Sequence, residues 1–152
     1  MRIPLRVGLC GWVVLACAGP VHADALITPE EALASQSAVL MQLVDDTPAN
    51  PQGPLITVVD AQALTQVVKN PFSMEIELQA QRDAEVNFAS FKAFYGAFKI
   101  DITERLLKQA SRTLSGLKIA QVQIPSGRHT ILLRVSDTRG RSAEKEIAFR
   151  VE

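Results

Sequence analysis

Few side chains in this sequence are of a type that could carry chemistry, and their spacing decides which chemistry is open to them. The histidines are His22 and His129, and the cysteines are Cys10 and Cys17. A zinc site needs three or four such ligands converging, and a nucleophilic site needs a base and an orienting group within reach of a Ser or Cys. His129 has no such companions. It shares its parity with Ile131, Leu133 and Val135 in an apolar alternation. It is therefore expected on the core side of a strand, hydrogen-bonded to nearby backbone. Met41 and Met74 with a single His do not make a copper site, which draws on several soft or imidazole ligands.

Carboxylates are the other candidates for acid–base work. Glu75 and Glu77 lie two apart, hence on one face of a strand, while Asp101 and Asp137 fall beside turn-like sequences. Their plain roles are a solvated face for the two glutamates and cap or turn acceptors for the two aspartates. No sequential calcium loop, G-x-S-x-G elbow, phosphate loop or H-E-x-x-H pair is present. No catalytic residue, cofactor-binding residue or metal ligand is assigned, and the chain is expected not to be an enzyme and to hold no cofactor.

The aromatic residues Phe88, Phe91, Phe94, Tyr95 and Phe98 crowd into one short stretch. Sheet interiors favour such side chains, but these cannot all point inward. With Phe91, Ala93 and Tyr95 sharing one face, Phe94 projects to the other. There it is either covered by residues 103–112 or left as a binding patch.

The elements that position these residues are mostly strands. Residues 130–135 and 146–151 alternate apolar and polar side chains and are separated by the turn sequence Asp137-Thr138-Arg139-Gly140. Both strands keep odd-numbered apolar positions, so a register that buries both sets pairs residues whose numbers sum to an even value. Residues 55–59 form an apolar strand, and Phe72, Met74, Ile76 and Leu78 mark the clearest half-buried one, after the turn at Asn70-Pro71. Across 86–95 the apolar parity switches from Val86 and Phe88 to Phe91, Ala93 and Tyr95, which implies a bulge near Ala89-Ser90. Phe98, Ile100 and Ile102 restart the alternation, Thr103 caps a short helical turn, and 117–124 is one more strand.

The N-terminal third differs in kind. Residues 1–23 read as a secretory signal: Arg2 and Arg6, an apolar run, then Val21-His22-Ala23 as a small-x-small cleavage site. A lipoprotein signal ending at Cys17 is the weaker alternative, because Leu15 stands where a small residue is usual. Cleavage after Ala23 removes both cysteines, leaving no thiol and no transmembrane segment. Within 24–46, Thr28-Pro29-Glu30-Glu31 combines a hydroxyl N-cap, Pro at the first helical position and Glu three residues after the cap. A helix to about Val44 is expected, with Leu33, Leu40, Leu43 and Val44 on its apolar face and Ser35 and Gln42 opposite. A Pro-rich linker, 47–54, follows. These features suggest a tethered helix that docks on another protein, with Leu33, Leu40, Val44 and Phe94 as partner-binding residues; folding back over Phe94 is the alternative.

The whole chain has no net charge, and residues 54–152 carry 14 basic and 11 acidic groups. That excess is too weak for a nucleic-acid footprint. At 152 residues there is room for one domain with a substantial core.

Roughly seven strands in 55–152, with little helix, read as an all-β antiparallel sandwich. The run Ile-Pro-Ser-Gly-Arg-His-Thr-Ile-Leu-Leu-Arg-Val-Ser-Asp-Thr-Arg-Gly-Arg at 124–141 resembles the last hairpin of bacterial immunoglobulin-like domains. The 72–78 strand and Phe91-Lys92-Ala93-Phe94-Tyr95-Gly96 fit the same layout. The resemblance implies a structural or recognition module of a secreted or envelope protein, and it brings no catalytic residues. The functional expectation is an exported, non-catalytic interaction or structural module, periplasmic or secreted, whose partner is another envelope protein. A periplasmic carrier of a metal ion or small ligand is the alternative.

Overall fold

Alternation places most of the side chains of this protein correctly, and the exceptions show where the chain bends. The computed structural model describes residues 25–38, 50–59, 66–81 and 83–152. These form α1 (Pro29–Ala38), β1 (Leu55–Val59), β2 (Val67–Val68), β3 (Phe72–Gln79), β4 (Val86–Tyr95), β5 (Ile100–Asp101), α2 (Thr103–Gln109), β6 (Ala110–Arg112), β7 (Gly116–Val122), β8 (Gly127–Asp137) and β9 (Ser142–Val151). One sheet has the order β1-β3-β7-β6 and the other β2-β9-β8-β4-β5. Every pairing is antiparallel except β2 with β9. The chain is all-β in two sheets, in the manner of a β-sandwich. Among the described residues nine strands replace the expected seven because β2 and β6 are two and three residues long, too short to carry a period.

The β8–β9 hairpin keeps the even-sum register over its whole length, with His129 opposite Phe149, Ile131 opposite Ile147 and Val135 opposite Ala143. The inner faces of both sheets merge in one hydrophobic cluster. Ile76, Ala93, Leu133 and Val135 are fully enclosed in it. Each buried Ile, Leu or Val contributes about 1.5–3 kcal/mol relative to an exposed one.

Two irregularities have local causes. In β4 the register against β8 shifts between Asn87 and Lys92. Here the Ser90 hydroxyl donates to the Asn87 carbonyl (2.6 Å) and accepts from the Ser136 N–H (2.8 Å), so a side chain substitutes for a ladder partner. In β7, Ala120 and Gln121 are both exposed between buried Ile119 and Val122. Gln121 sits at φ 56°, and the register against β3 slips between Phe72 and Met74. The restart expected at Phe98 begins later: Phe98 is in the turn after β4 and is 66% exposed.

The N-terminal segment departs furthest from expectation. Residues 25–36 pack into the core, with Leu26, Ile27, Ala32 and Ser35 buried, so the core does not begin at Leu55. The face of α1 is also the reverse of the expected one. Ser35 is 3% exposed and Leu33 is 66% exposed. The apolar anchors, Leu26 and Ile27, precede the helix, and the small residues Ala32 and Ser35 let it come close to the sheet. Gly96 (φ 64°) lies against the Ser35 side chain and Gly127 (φ 141°) against Gln36. A Cβ at either position would collide with that side chain and would be strained at that backbone angle. The helix thus folds back onto the β4 and β8 ends that carry Gly96 and Gly127, rather than over Phe94. Its expected continuation, with Leu40, Leu43 and Val44, lies outside the described residues, as do the signal sequence and the first part of the linker.

Candidate functional site

The polar side chains of the described residues concentrate in three places, each built from elements that the turns bring together. The first lies beneath α1. Tyr95 on β4 and His129 on β8 are buried, at 0% and 2% exposure, with Tyr95 Oη 2.8 Å from His129 Nδ1. His129 Nε2 is 2.8 Å from the Pro125 carbonyl oxygen. A carbonyl only accepts, so Nε2 carries the proton and Nδ1 accepts from the tyrosine hydroxyl. The Ser35 hydroxyl from α1 joins the same chain at the phenol. Burial pushes the Tyr95 phenol up and the Glu31 charge adds to this, while the Ser35 hydrogen bond opposes it. Burial pushes the His129 imidazole below its ordinary value, against the pull of the Pro125 carbonyl. Both ring nitrogens are engaged, so the imidazole has no free lone pair for a substrate. His129 therefore sits on the core side, bonded to nearby backbone.

The second place joins α1 to α2. Thr28 and Glu31 form a reciprocal capping box: the Thr28 N–H donates to Glu31 Oε2 (2.9 Å) and the Glu31 N–H to Thr28 Oγ1 (3.2 Å). The same carboxylate accepts both arms of Arg105, at 2.9 and 2.7 Å. Hydrogen bonding to Arg105 holds the Glu31 carboxyl below the usual range in spite of partial burial. Arg105 also borders an open cleft of about 270 Å³ lined by Lys92, Asp101, Thr103 and Glu104. Asp101 accepts the Thr103 N–H (2.9 Å), and hydrogen bonding to the Thr103 side chain, then to its backbone, holds the Asp101 carboxyl below its ordinary range. The buried Thr103 hydroxyl accepts the Ala93 N–H (2.9 Å), pinning α2 to β4. Lys92 and Asp101 lie 3.5 Å apart. Of the charged groups along this cleft, Lys92 is paired with Asp101 and Arg105 with Glu31, while Glu104 is in none of the ion pairs among the described residues.

The third place is the β8–β9 turn. Asp137 Oδ1 accepts the Arg139 and Arg141 N–H groups, both at 2.9 Å, and Oδ2 accepts Arg141 Nε at 2.7 Å. Burial alone would raise this carboxyl; the hydrogen bonds from Arg141 and Arg139 outweigh it and hold it low. Asp83, between β3 and β4, binds Arg139 and Arg141, each at 2.9 Å. Asp137 is a turn residue bonding its own backbone, with an ionic clasp added. Glu75 and Glu77 stay on the outer face of β3, where Glu75 meets Lys118 at 3.6 Å.

Of the expected partner-binding residues, Leu33 and Phe94 are among the described ones. Leu33 is exposed on α1, while Phe94 is half-buried on the outer face of β4, opposite Leu132 and Asp101, with the Arg134 guanidinium 5.7 Å from its ring centre. Leu40 and Val44 lie outside the described residues. Arg105 was not legible in the sequence, because a contact spanning 74 positions, as between Glu31 and Arg105, leaves no local pattern. Among the described residues no group of three or more His, Cys, Asp or Glu is placed to hold a metal ion, and no helix is long and apolar enough to cross a membrane. Comparison with protein-family models, with curated proteins and with solved structures gives no match.

Proposed function

We propose that this chain is an exported, non-catalytic interaction or structural module of the bacterial cell envelope, built on an immunoglobulin-like sandwich. The strand order supports the immunoglobulin-like reading. One sheet carries the first, second, fifth and fourth strands of that layout, the other its third, sixth and seventh, and the leading strand is divided between both sheets as β1 and β2. Export rests on residues 1–23, with Asp24 as the mature N-terminus.

The observation that carries the non-catalytic reading is the state of the buried polar side chains. Ser35, Thr103, His129 and Asp137 are the buried polar residues of the described chain, and each is bound to architecture. A general base or nucleophile needs a free lone pair facing a cavity. The proposed partner is another envelope protein. The surfaces offered to it include the exposed Leu33 and the Phe94 face.

The test is a single preparation of the protein from an envelope fraction. Intact mass should begin at Asp24 without lipid. Metal analysis and ligand thermal-shift screening should find no stoichiometric ion and no shift. Cross-linking should give one defined adduct with an envelope protein, lost in a folded Leu33→Lys/Phe94→Ser variant. A bound ion, or a shift with one ligand class, would favour the carrier and sink this reading.

A further inference from the structure

The edges of the two sheets are not alike. An unpaired strand edge offers backbone donors and acceptors to any extended chain, and folded proteins blunt such edges with charge, bulges or brevity. Among the described residues, β6 has three residues, and its Arg112 lies 3.9 Å above the Phe88 ring. β5 has two residues and ends in Asp101, which pairs with Lys92. β2 also has two residues and covers only Arg150 and Val151 of β9. At the start of β9 the Ser142 carbonyl accepts Asn50 Nδ2 at 3.2 Å, and further along Lys145 holds a core-facing position between buried Ala143 and Ile147 yet is exposed. A charge at such a position is a familiar guard against edge pairing.

Among the described residues β1 has none of these devices. It is the terminal strand of its sheet, and its five residues, Leu55-Ile56-Thr57-Val58-Val59, carry no charge. Its register with β3 runs without a bulge, and Leu55 is 56% exposed.

We propose that β1 is a self-association edge, on which a second copy of this chain lays its own β1 antiparallel about a two-fold axis through Thr57. The pairing brings Leu55 opposite Val59 of the second copy and Ile56 opposite its Val58. Because Thr57 meets itself, outward residues meet outward residues and core-facing ones meet core-facing ones. The two four-stranded sheets then form one continuous sheet. No charge stands opposite a like charge in β1, and on the next strand Glu75 is already paired with Lys118. This self-complementarity of apolar pattern selects a second copy over an unrelated peptide, which would gain the backbone bonds alone. Pro51 and Pro54 precede the strand and limit the contact to about five residues a side, below the ~1,200 Å² of a stable complex. The association is therefore reversible and needs high local concentration.

The proposal does not rest on the envelope reading, because oligomeric state is measured on the purified chain whatever its location. Sedimentation equilibrium from about 1 μM to about 1 mM covers the range of a small interface. The mean mass should climb toward twice the monomer, and Thr57→Lys, which sets like charges face to face, should weaken association by about tenfold or more. Lys145→Thr, which leaves β1 untouched and removes the guard on β9, should not weaken it. If Thr57→Lys does not fold by circular dichroism, Leu55→Lys takes its place. Independently of any variant, amide exchange of the wild-type chain should show protection in β1 that grows with concentration. A monomer throughout the range, a dimer indifferent to both lysine variants, or β1 amides that do not respond to concentration would overturn the proposal.

Discussion

Glu31→Ala tests the union of the N-terminal segment with the sandwich more sharply than any deletion, because it removes two separate interactions, a helix cap and an ion pair, with one small change. In the folded chain the carboxylate accepts the Thr28 N–H and both arms of Arg105, and the two side chains of the ion pair are 20% and 31% exposed. Loss of the capping box alone costs about 1 kcal/mol. A bidentate pair at this exposure lies above the surface range of roughly 0–1 kcal/mol but far from a dry interior, so another ~1 kcal/mol follows from its loss. The expected total is about 2 kcal/mol. In urea, with m near 1–1.5 kcal/mol/M for a domain of this size, that lowers the midpoint by about 1.5 M. Arg105→Ala should cost about half as much, and the double mutant should show a coupling of about 1 kcal/mol. The pH dependence carries the same sign. The folded pKa of Glu31 lies below its unfolded value of 4.5, so its stabilisation is present above that value and is lost as pH falls through the folded one. Circular dichroism melts in urea at pH 7 and pH 3 measure all of this. A midpoint for Glu31→Ala within experimental scatter of wild type at pH 7 would refute the reasoning and restore a tethered helix.

Three other outcomes follow from the packing. His129 is buried neutral with a depressed pKa, so its contribution is complete above the unfolded value near 6.5 and diminishes as pH falls toward the folded one. Between those two values the slope is at most about 1.4 kcal/mol per pH unit, and urea melts from pH 7 to 5 should show it for wild type and not for His129→Phe. Leu133→Ala, at a fully buried position, should destabilise by about 2–5 kcal/mol, and Thr130→Ala on the outer face by well under half of that. Equal urea midpoints would mean the faces of β8 are misassigned. Gly96→Ala should cost about 1–3 kcal/mol in thermal melts, from the positive φ and the Ser35 contact together, and Ser35→Gly should recover part of the loss.

Legibility in the sequence followed the range of each interaction. β3, β8 and β9 were readable because period-2 burial is written locally, and so was the β4 bulge, since a switch of parity is itself a local signal. The capping box was readable for the same reason: Thr28 and Glu31 are three residues apart. The direction α1 faces was not. Its leucines suggested one buried stripe, but contact was decided by two glycines some 60 and 90 positions away, which admit Ser35 and Gln36 where no larger neighbour would fit. The β7 bulge at Gln121 was also missed, although the switch from odd-numbered Leu117 and Ile119 to even-numbered Val122 and Ile124 is the same kind of local signal as in β4.

Placing α1 within the core changes which surfaces are free to act. A tethered helix would have offered its apolar stripe to a partner, but Ala32 and Ser35 are already used within the fold, and of the expected contact residues in the described helix only Leu33 faces solvent. The Ser35 and Thr103 hydroxyls, the His129 imidazole and the Asp137 carboxylate are likewise committed, so removing any of them acts first on stability, whereas the buried Thr113 hydroxyl has no hydrogen-bond partner among the described residues. What distinguishes one surface from another is then the treatment of the strand edges. A charge at the core-facing Lys145 position is hard to explain by packing, since Ala143 and Ile147 on either side are buried, but it follows directly if open edges on this molecule pair unless they are guarded. By that logic the uncharged, unbroken edge of β1 is the place where selection against pairing is not visible, and it is where association should be sought first.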